Sequence, residues 1–264
     1  MKDNFYKTLV ASSLVLSLFI YGNLCFAEQT SYVNIDNAIK LYENGYYNSA
    51  DNMISIALKK DKRDVAALTW YALIKMEISK NSREINHIYN RSIVDKLILY
   101  LNTYYGSDLL FLDEDKLYSY YHAAYAKAYW LTNNNKEVDW FVEKSLALYQ
   151  YNYEALHIKG QVALGRVDNP PPPMFTSNYN DPPSRDSYLS EAYKSFLAEL
   201  AAAENDAPEI RSRAAYWAAA TLYKANNNNT DKINELLGIS IKANPIGIYG
   251  VLSKKMLDKI LNVK

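Results

Sequence analysis

The sequence predicts an all-α chain, a solenoid or superhelix of stacked helical hairpins in two blocks joined by a proline-rich loop. Three observations carry this expectation. Small residues recur at a fixed interval: Ala38 and Ala72 stand thirty-four residues apart, and Ala126 and Gly160 repeat the spacing. A constant period of this length marks a chain built from one two-helix unit used repeatedly. Glycine is scarce, at 8 of 264 residues, as long helices require. Six of the 8 prolines fall between Asp168 and Ser184, where the helical pattern stops.

Residues 1–27 read as an export signal outside the fold. Lys2 and Lys7 precede an apolar run from Leu9 to Ile20, too short to span a bilayer comfortably. Small Cys25 and Ala27 then occupy the two positions a signal peptidase reads, which places the cut before Glu28. Removing Lys2, Asp3 and Lys7 takes the formal charge from 0 to −1 and removes the single cysteine. A mature chain from Glu28 onward then holds no disulfide and no thiolate metal site, so its stability must come from packing. Near-neutral charge with acids and bases intermixed speaks against nucleic acid as a partner, and no membrane span is expected after signal cleavage. The 25 tyrosines, alongside abundant Asn, Lys and Ile, fit the codon usage of an AT-rich genome as well as selection for ligand stacking.

The first block covers 28–167. From Ile35 the apolar and small residues Ala38, Leu41, Tyr42, Tyr47, Ala50, Ile54, Ala57 and Leu58 lie at helical spacing on two helices, with the turn at Asn44-Gly45. This pattern resembles the tetratricopeptide repeat, whose signature slots Ala38, Gly45, Tyr47, Ala50 and Ala57 would occupy. Ala72, inside Ala67-Leu68-Thr69-Trp70-Tyr71-Ala72-Leu73, opens the next hairpin in register. The segment from Ser82 to Tyr105 keeps a helical pattern but departs from the repeat at Glu84, which implies an elongated or additional helix. Register resumes at Ala126 and Gly160. The proline-rich loop spans 168–186 and reads as an extended strap, and the second block, 187–264, reads as helices over 187–204, 208–225, 231–243 and 246–262.

Within the second block, Arg213-Ala214-Ala215-Tyr216-Trp217-Ala218-Ala219 and Asn244-Pro245-Ile246-Gly247-Ile248-Tyr249-Gly250-Val251-Leu252 resemble the superhelical, non-catalytic domain of soluble lytic transglycosylases. The resemblance covers about forty residues and implies a periplasmic location near peptidoglycan. Those enzymes carry a catalytic glutamate followed directly by serine in a domain after this helix. No Glu-Ser dipeptide occurs in the sequence, so that acid cannot be carried over and no enzymatic activity is expected.

Other catalytic or metal-binding patterns are missing from the sequence as well. Acids such as Asp113-Glu114-Asp115 cluster where turns or exposed faces are expected. His87, His122 and His157 stand 35 residues apart and form no i, i+4 metal pair; no metal or cofactor is expected. A hairpin stack offers instead a concave face built by the first helix of each pair. Carrying the tetratricopeptide pattern over residue by residue places Tyr42, Leu73, Met76, Lys127, Trp130, His157 and Gln161 on it. Leu73 and Met76 are expected to be covered by the extra segment, which leaves Tyr42, Lys127, Trp130, His157 and Gln161 as candidate ligand contacts. The functional expectation is a periplasmic or secreted scaffold with a protein or peptide partner, and peptidoglycan as the alternative ligand.

Overall fold

The computed structural model of the chain describes residues 33–81, 95–96, 99, 115–132, 135–170, 183–225 and 229–262. Residues 1–27, expected to form an export signal, lie outside the described residues, as do His87, most of the segment 82–105 and the proline-rich loop beyond Pro170. Among those described there is no strand. The helices, in order, are α1 (33–43), α2 (Tyr47–Lys60), α3 (Val65–Asn81), α4 (Asp115–Leu131), α5 (Asn135–Leu148), α6 (Tyr153–Asp168), α7 (Arg185–Ala202), α8 (Pro208–Lys224), α9 (Thr230–Ala243) and α10 (Ile248–Asn262).

Local chemistry sets the boundaries. Gly45 closes α1 with φ of +83°, a left-handed conformation that suits glycine, and the Tyr46 N–H donates back to the Leu41 carbonyl at 2.8 Å. Asn152 caps α6 by accepting from the backbone N–H groups of Glu154 and Ala155. Pro208 occupies the first turn of α8, where its missing N–H is not needed, and Asn229 caps α9. The four helices of the second block lie within two residues of the expected boundaries.

Small residues let the two helices of a hairpin approach. Ala126 of α4 is fully buried beside Val138 and Val142 of α5. Gly160 of α6 lies so close to α7 that a Cβ there would meet the Phe196 ring at 2.5 Å. Gly160→Ala should therefore lower stability by about 1–3 kcal/mol in urea denaturation, since Phe196 is buried and cannot swing aside.

Two observations show how closely the helices on either side of the proline-rich loop pack together. The helices on either side of the proline-rich loop, α6 and α7, are partners in one hairpin, so the loop falls within a repeat. Closing a longer loop costs little, growing only with the logarithm of its length, and a proline tract that halts a helix does not keep its neighbours apart. The halves are also joined by buried polar contacts: Glu154 of α6 pairs with Arg213 of α8, and His157 of α6 with Glu199 of α7.

Hydroxyl groups add a repeated staple. Ser119 of α4 and Ser145 of α5 each donate to the other's backbone carbonyl, at 2.7 and 2.8 Å, and the Asn152 amide reaches both hydroxyls. Ser212 of α8 and Ser240 of α9 exchange the same bonds, at 3.0 and 2.9 Å, with Ser253 of α10 taking the third place. These serines are buried and satisfied, as interior polar groups must be.

The superhelix winds tightly enough for its first hairpin to meet its last ones. One continuous core joins Ile35, Ala38 and Tyr42 of α1 to Tyr120 of α4, Tyr153 of α6 and Ala207 and Ile210 at the start of α8. The Tyr153 hydroxyl donates to Glu43 at 2.9 Å. At Gly45 a Cβ would touch Glu209 of α8 at 3.2 Å. A cleft of about 350 Å³ marks this seam, lined by Gly45, Tyr46, Glu209, Asn244, Ile246 and Ile248 among others.

Candidate functional site

Helices α1, α3, α4, α6 and α8 point the same face toward the superhelix axis, and charged side chains meet there. Lys127 of α4 donates to Glu77 of α3 at 2.7 Å, to Glu154 of α6 at 2.9 Å and to the Tyr42 hydroxyl of α1 at 3.2 Å. Arg213 of α8 donates through Nε to Glu199 of α7 at 2.7 Å, and its Nη2 lies 2.9 Å from Glu154. The second oxygen of Glu199 faces His157 Nδ1 at 3.0 Å. Every one of these charged side chains is sealed from solvent.

Electrostatics hold the cluster in its ionised form. Burial alone would raise the Glu154 carboxyl, but Arg213 and Lys127 beside it outweigh burial and keep it below its ordinary value. Burial would likewise lower the Lys127 ammonium, and Glu154 and Glu77 outweigh it and hold it above its ordinary value. Burial, reinforced by Glu154 and Glu77, pushes the Tyr42 phenol well up, so it stays a neutral hydrogen-bonding group.

The structure thus divides the five residues assigned to a ligand-contacting face. Tyr42, Lys127 and His157 do point toward the axis, but they are 0%, 1% and 1% exposed and engage partners from other helices, which corrects their placement on an open groove. The physical reason is the closure of the superhelix, which brings inward faces of α1, α3, α4, α6 and α8 within ion-pair distance. Leu73 and Met76 are buried within the core shared with α1 and α4, and the segment expected to cover them lies largely outside the described residues. Trp130 and Gln161 remain half-buried. Trp130 packs against the cluster formed by Ala126, Val138, Val142, Ile158 and Val162.

Sequence reasoning missed Glu77, Glu154, Glu199 and Arg213 as a site. A signal existed for two of them: Glu154 and Glu199, like Lys127, have no other Asp, Glu, Lys or Arg within four positions on either side, in helical stretches where a solvated charge is out of place. His122 and His157, candidates for stacking on neighbouring hairpins, have separate surroundings. His122 lies among Tyr121, Trp140 and Phe141, and burial, then Lys144, lowers its pKa. Among the described residues no three metal-ligating side chains converge, and no helix is long and apolar enough to cross a membrane.

No protein-family model and no curated protein matches the chain. Solved structures do. TTC0263, a thermophilic tetratricopeptide-repeat protein of Thermus thermophilus, aligns at 16% identity over 86% of this chain and 98% of its own, with a TM-score of 0.50. The fold is a tetratricopeptide-like solenoid. The MamA protein aligns at 12% identity over 83% of this chain and 93% of its own, TM-score 0.41. YrrB, a tetratricopeptide-repeat protein with an unusual peptide-binding site, aligns at 15% over 84% and 90%, TM-score 0.37.

Proposed function

We propose that this chain is an exported, non-catalytic scaffold that binds a protein or peptide partner at the end of its superhelix axis left open by the ionic cluster. One observation carries the reading. Trp130, Gln161 and Trp217 lie three or four residues beyond Lys127, His157 and Arg213 on helices of like direction, about one turn or 5–6 Å further along the axis. All three are half-buried while the preceding turn is sealed. Aromatic anchors ringed by polar groups are the usual core of a protein interface.

Location belongs to the same proposal. The charged start, apolar run and Cys25-x-Ala27 support export to the periplasm, with secretion as the alternative. The likeness of the Arg213 and Asn244 segments to the lytic transglycosylase superhelix favours a partner in the cell envelope and makes peptidoglycan the second ligand to test.

Site-specific photo-crosslinking in exporting cells tests the reading. A benzophenone side chain at position 130 should capture a discrete protein adduct from the envelope fraction, and one at exposed Glu143 on α5 should not. Identical adducts from both positions, or none from 130 while purified peptidoglycan sediments the protein, would overturn it.

A further inference from the structure

The seam between α6 and α8 is organised around Phe196 of α7. Its ring fits against the bare Gly160 backbone, lies 5.8 Å from the His157 ring and stacks at 6.0 Å on Trp217. One turn later on α7, Glu199 takes His157 on one oxygen and Arg213 on the other. Gln161 follows His157 by four residues, and Trp217 follows Arg213 by four, so each stands one turn further along, on the same face of its helix.

In this seam the buried donors Gln161 Nε2, Trp217 Nε1 and Arg213 Nη1 find no acceptor among the described residues. Indole and guanidinium nitrogens can only donate, so what these groups lack is an acceptor oxygen. Interior donors are almost always satisfied, and leaving one bare is costly. Two of the three residues are half-buried, so the seam reaches the surface at Gln161 and Trp217 while Arg213 lies at its base, 0% exposed.

Charge decides which oxygen fits. Glu77, Glu154 and Glu199 already set three carboxylates against the two permanent cations Lys127 and Arg213, an excess of one negative charge while the His157 imidazole is neutral. An incoming carboxylate would add to that excess of negative charge where screening is weak. A neutral carbonyl oxygen meets the same donors without this repulsion. The Gln161 amide, which also carries an acceptor oxygen, can pair with both the C=O and the N–H of one peptide group.

We propose that Gln161, Trp217 and Arg213 form a subsite for the uncharged main-chain carbonyl of a bound peptide. The assignment rests on the peptide-binding reading above and names the part of the ligand that this end of the axis holds. Side chains of the ligand are left to the neighbouring apolar surface, so recognition here is by backbone and tolerant of sequence.

The probe is the uncharged peptide Ac-Ala-Ala-Ala-NH2, titrated into the full mature chain, with acetate as the carboxylate control. The readout is the ¹⁵N–¹H resonance of the Trp217 indole, assigned through Trp217→Phe, and of the Gln161 amide, assigned through Gln161→Leu. Saturable shifts of both resonances with the peptide, and none with acetate at equal concentration, are expected. Gln161→Leu, and Trp217→Phe read on the Gln161 amide, should each weaken the peptide about tenfold, the effect of losing one hydrogen bond. Equal or larger shifts with acetate, or no shift with the peptide, overturn the proposal on the wild-type protein alone, whether or not the variants fold. Crosslinking from position 130 that persists in such a case leaves the scaffold reading standing and removes only the carbonyl subsite.

Discussion

An Arg213→Met variant should lose about 3–5 kcal/mol of unfolding free energy at pH 7, because it strands Glu154 and Glu199 in the interior without their shared cation. The loss reflects uncompensated buried charge more than the net worth of the pairs. Converting Glu154 and Glu199 to glutamine in the same chain should therefore recover most of it. Urea denaturation at pH 7 checks both, and a loss below about 1 kcal/mol for the single variant would mean the cluster is not dry. The pH dependence follows with a definite sign. Glu154 is held below its ordinary value of 4.5 in the folded protein, so its contribution is complete above that pH and is lost as the pH falls through the folded-state value. Lys127 is held above 10.5, so its contribution is complete below that pH and is lost as the pH rises through the folded-state value. Wild-type stability should show a plateau bounded by both limbs, and Arg213→Met should flatten the acid limb.

A single methyl group at position 250 should be nearly as damaging. Gly250 sits in the first turn of α10, where a Cβ would overlap the Asn244 carbonyl oxygen and lie 2.9 Å from its carbon. That carbonyl cannot yield easily, since the Asn244 side chain donates to Glu209 at 2.6 Å and accepts from the Gly247 N–H at 3.0 Å. Gly250→Ala should cost about 3 kcal/mol, at the upper end of overpacking, or displace α10. The matched control is Gly238→Ala in α9, where nothing lies within 4 Å of the new methyl. There the gain in helix propensity should stabilise by about 0.5–1 kcal/mol. Opposite signs in thermal melts of the two variants are the expected result.

The hairpin architecture was legible in the sequence because it is written in local terms. Ala38, Ala126 and Gly160 mark where helices must touch, Gly45 marks a left-handed turn, and Pro208 marks a helix start; each needs only its near neighbours to be read. The inward register of Tyr42, Lys127 and His157 was legible for the same reason. What was not legible was that these residues are sealed. Closure depends on the twist accumulated over several hairpins, and no local pattern reports that sum. The same gap hid how the helices flanking the proline-rich loop pair, which the contact of Phe196 with Gly160 and that of Glu199 with His157 show for α6 and α7. Arg213 was noticed in the sequence only for its resemblance to an enzyme scaffold; with Glu209 and Arg211 close by on the same helix, no local pattern marked it as a buried cation.

Open helical arrays fold and melt almost as one-dimensional systems, each unit answering only to its neighbours, so their ends fray independently. Here Lys127 reaches back 85 residues to Tyr42, and Tyr153 reaches back 110 to Glu43. Contacts of that span tie the first hairpin's survival to that of the third and fourth, and they must be assembled late, after a long loop has been closed. The chain should consequently fold more slowly than an open array of equal length and exchange its amide hydrogens in one cooperative unit, with α1 as protected as α6. Trimming the first hairpin would then release the whole axis, a failure that an open array would confine to its end.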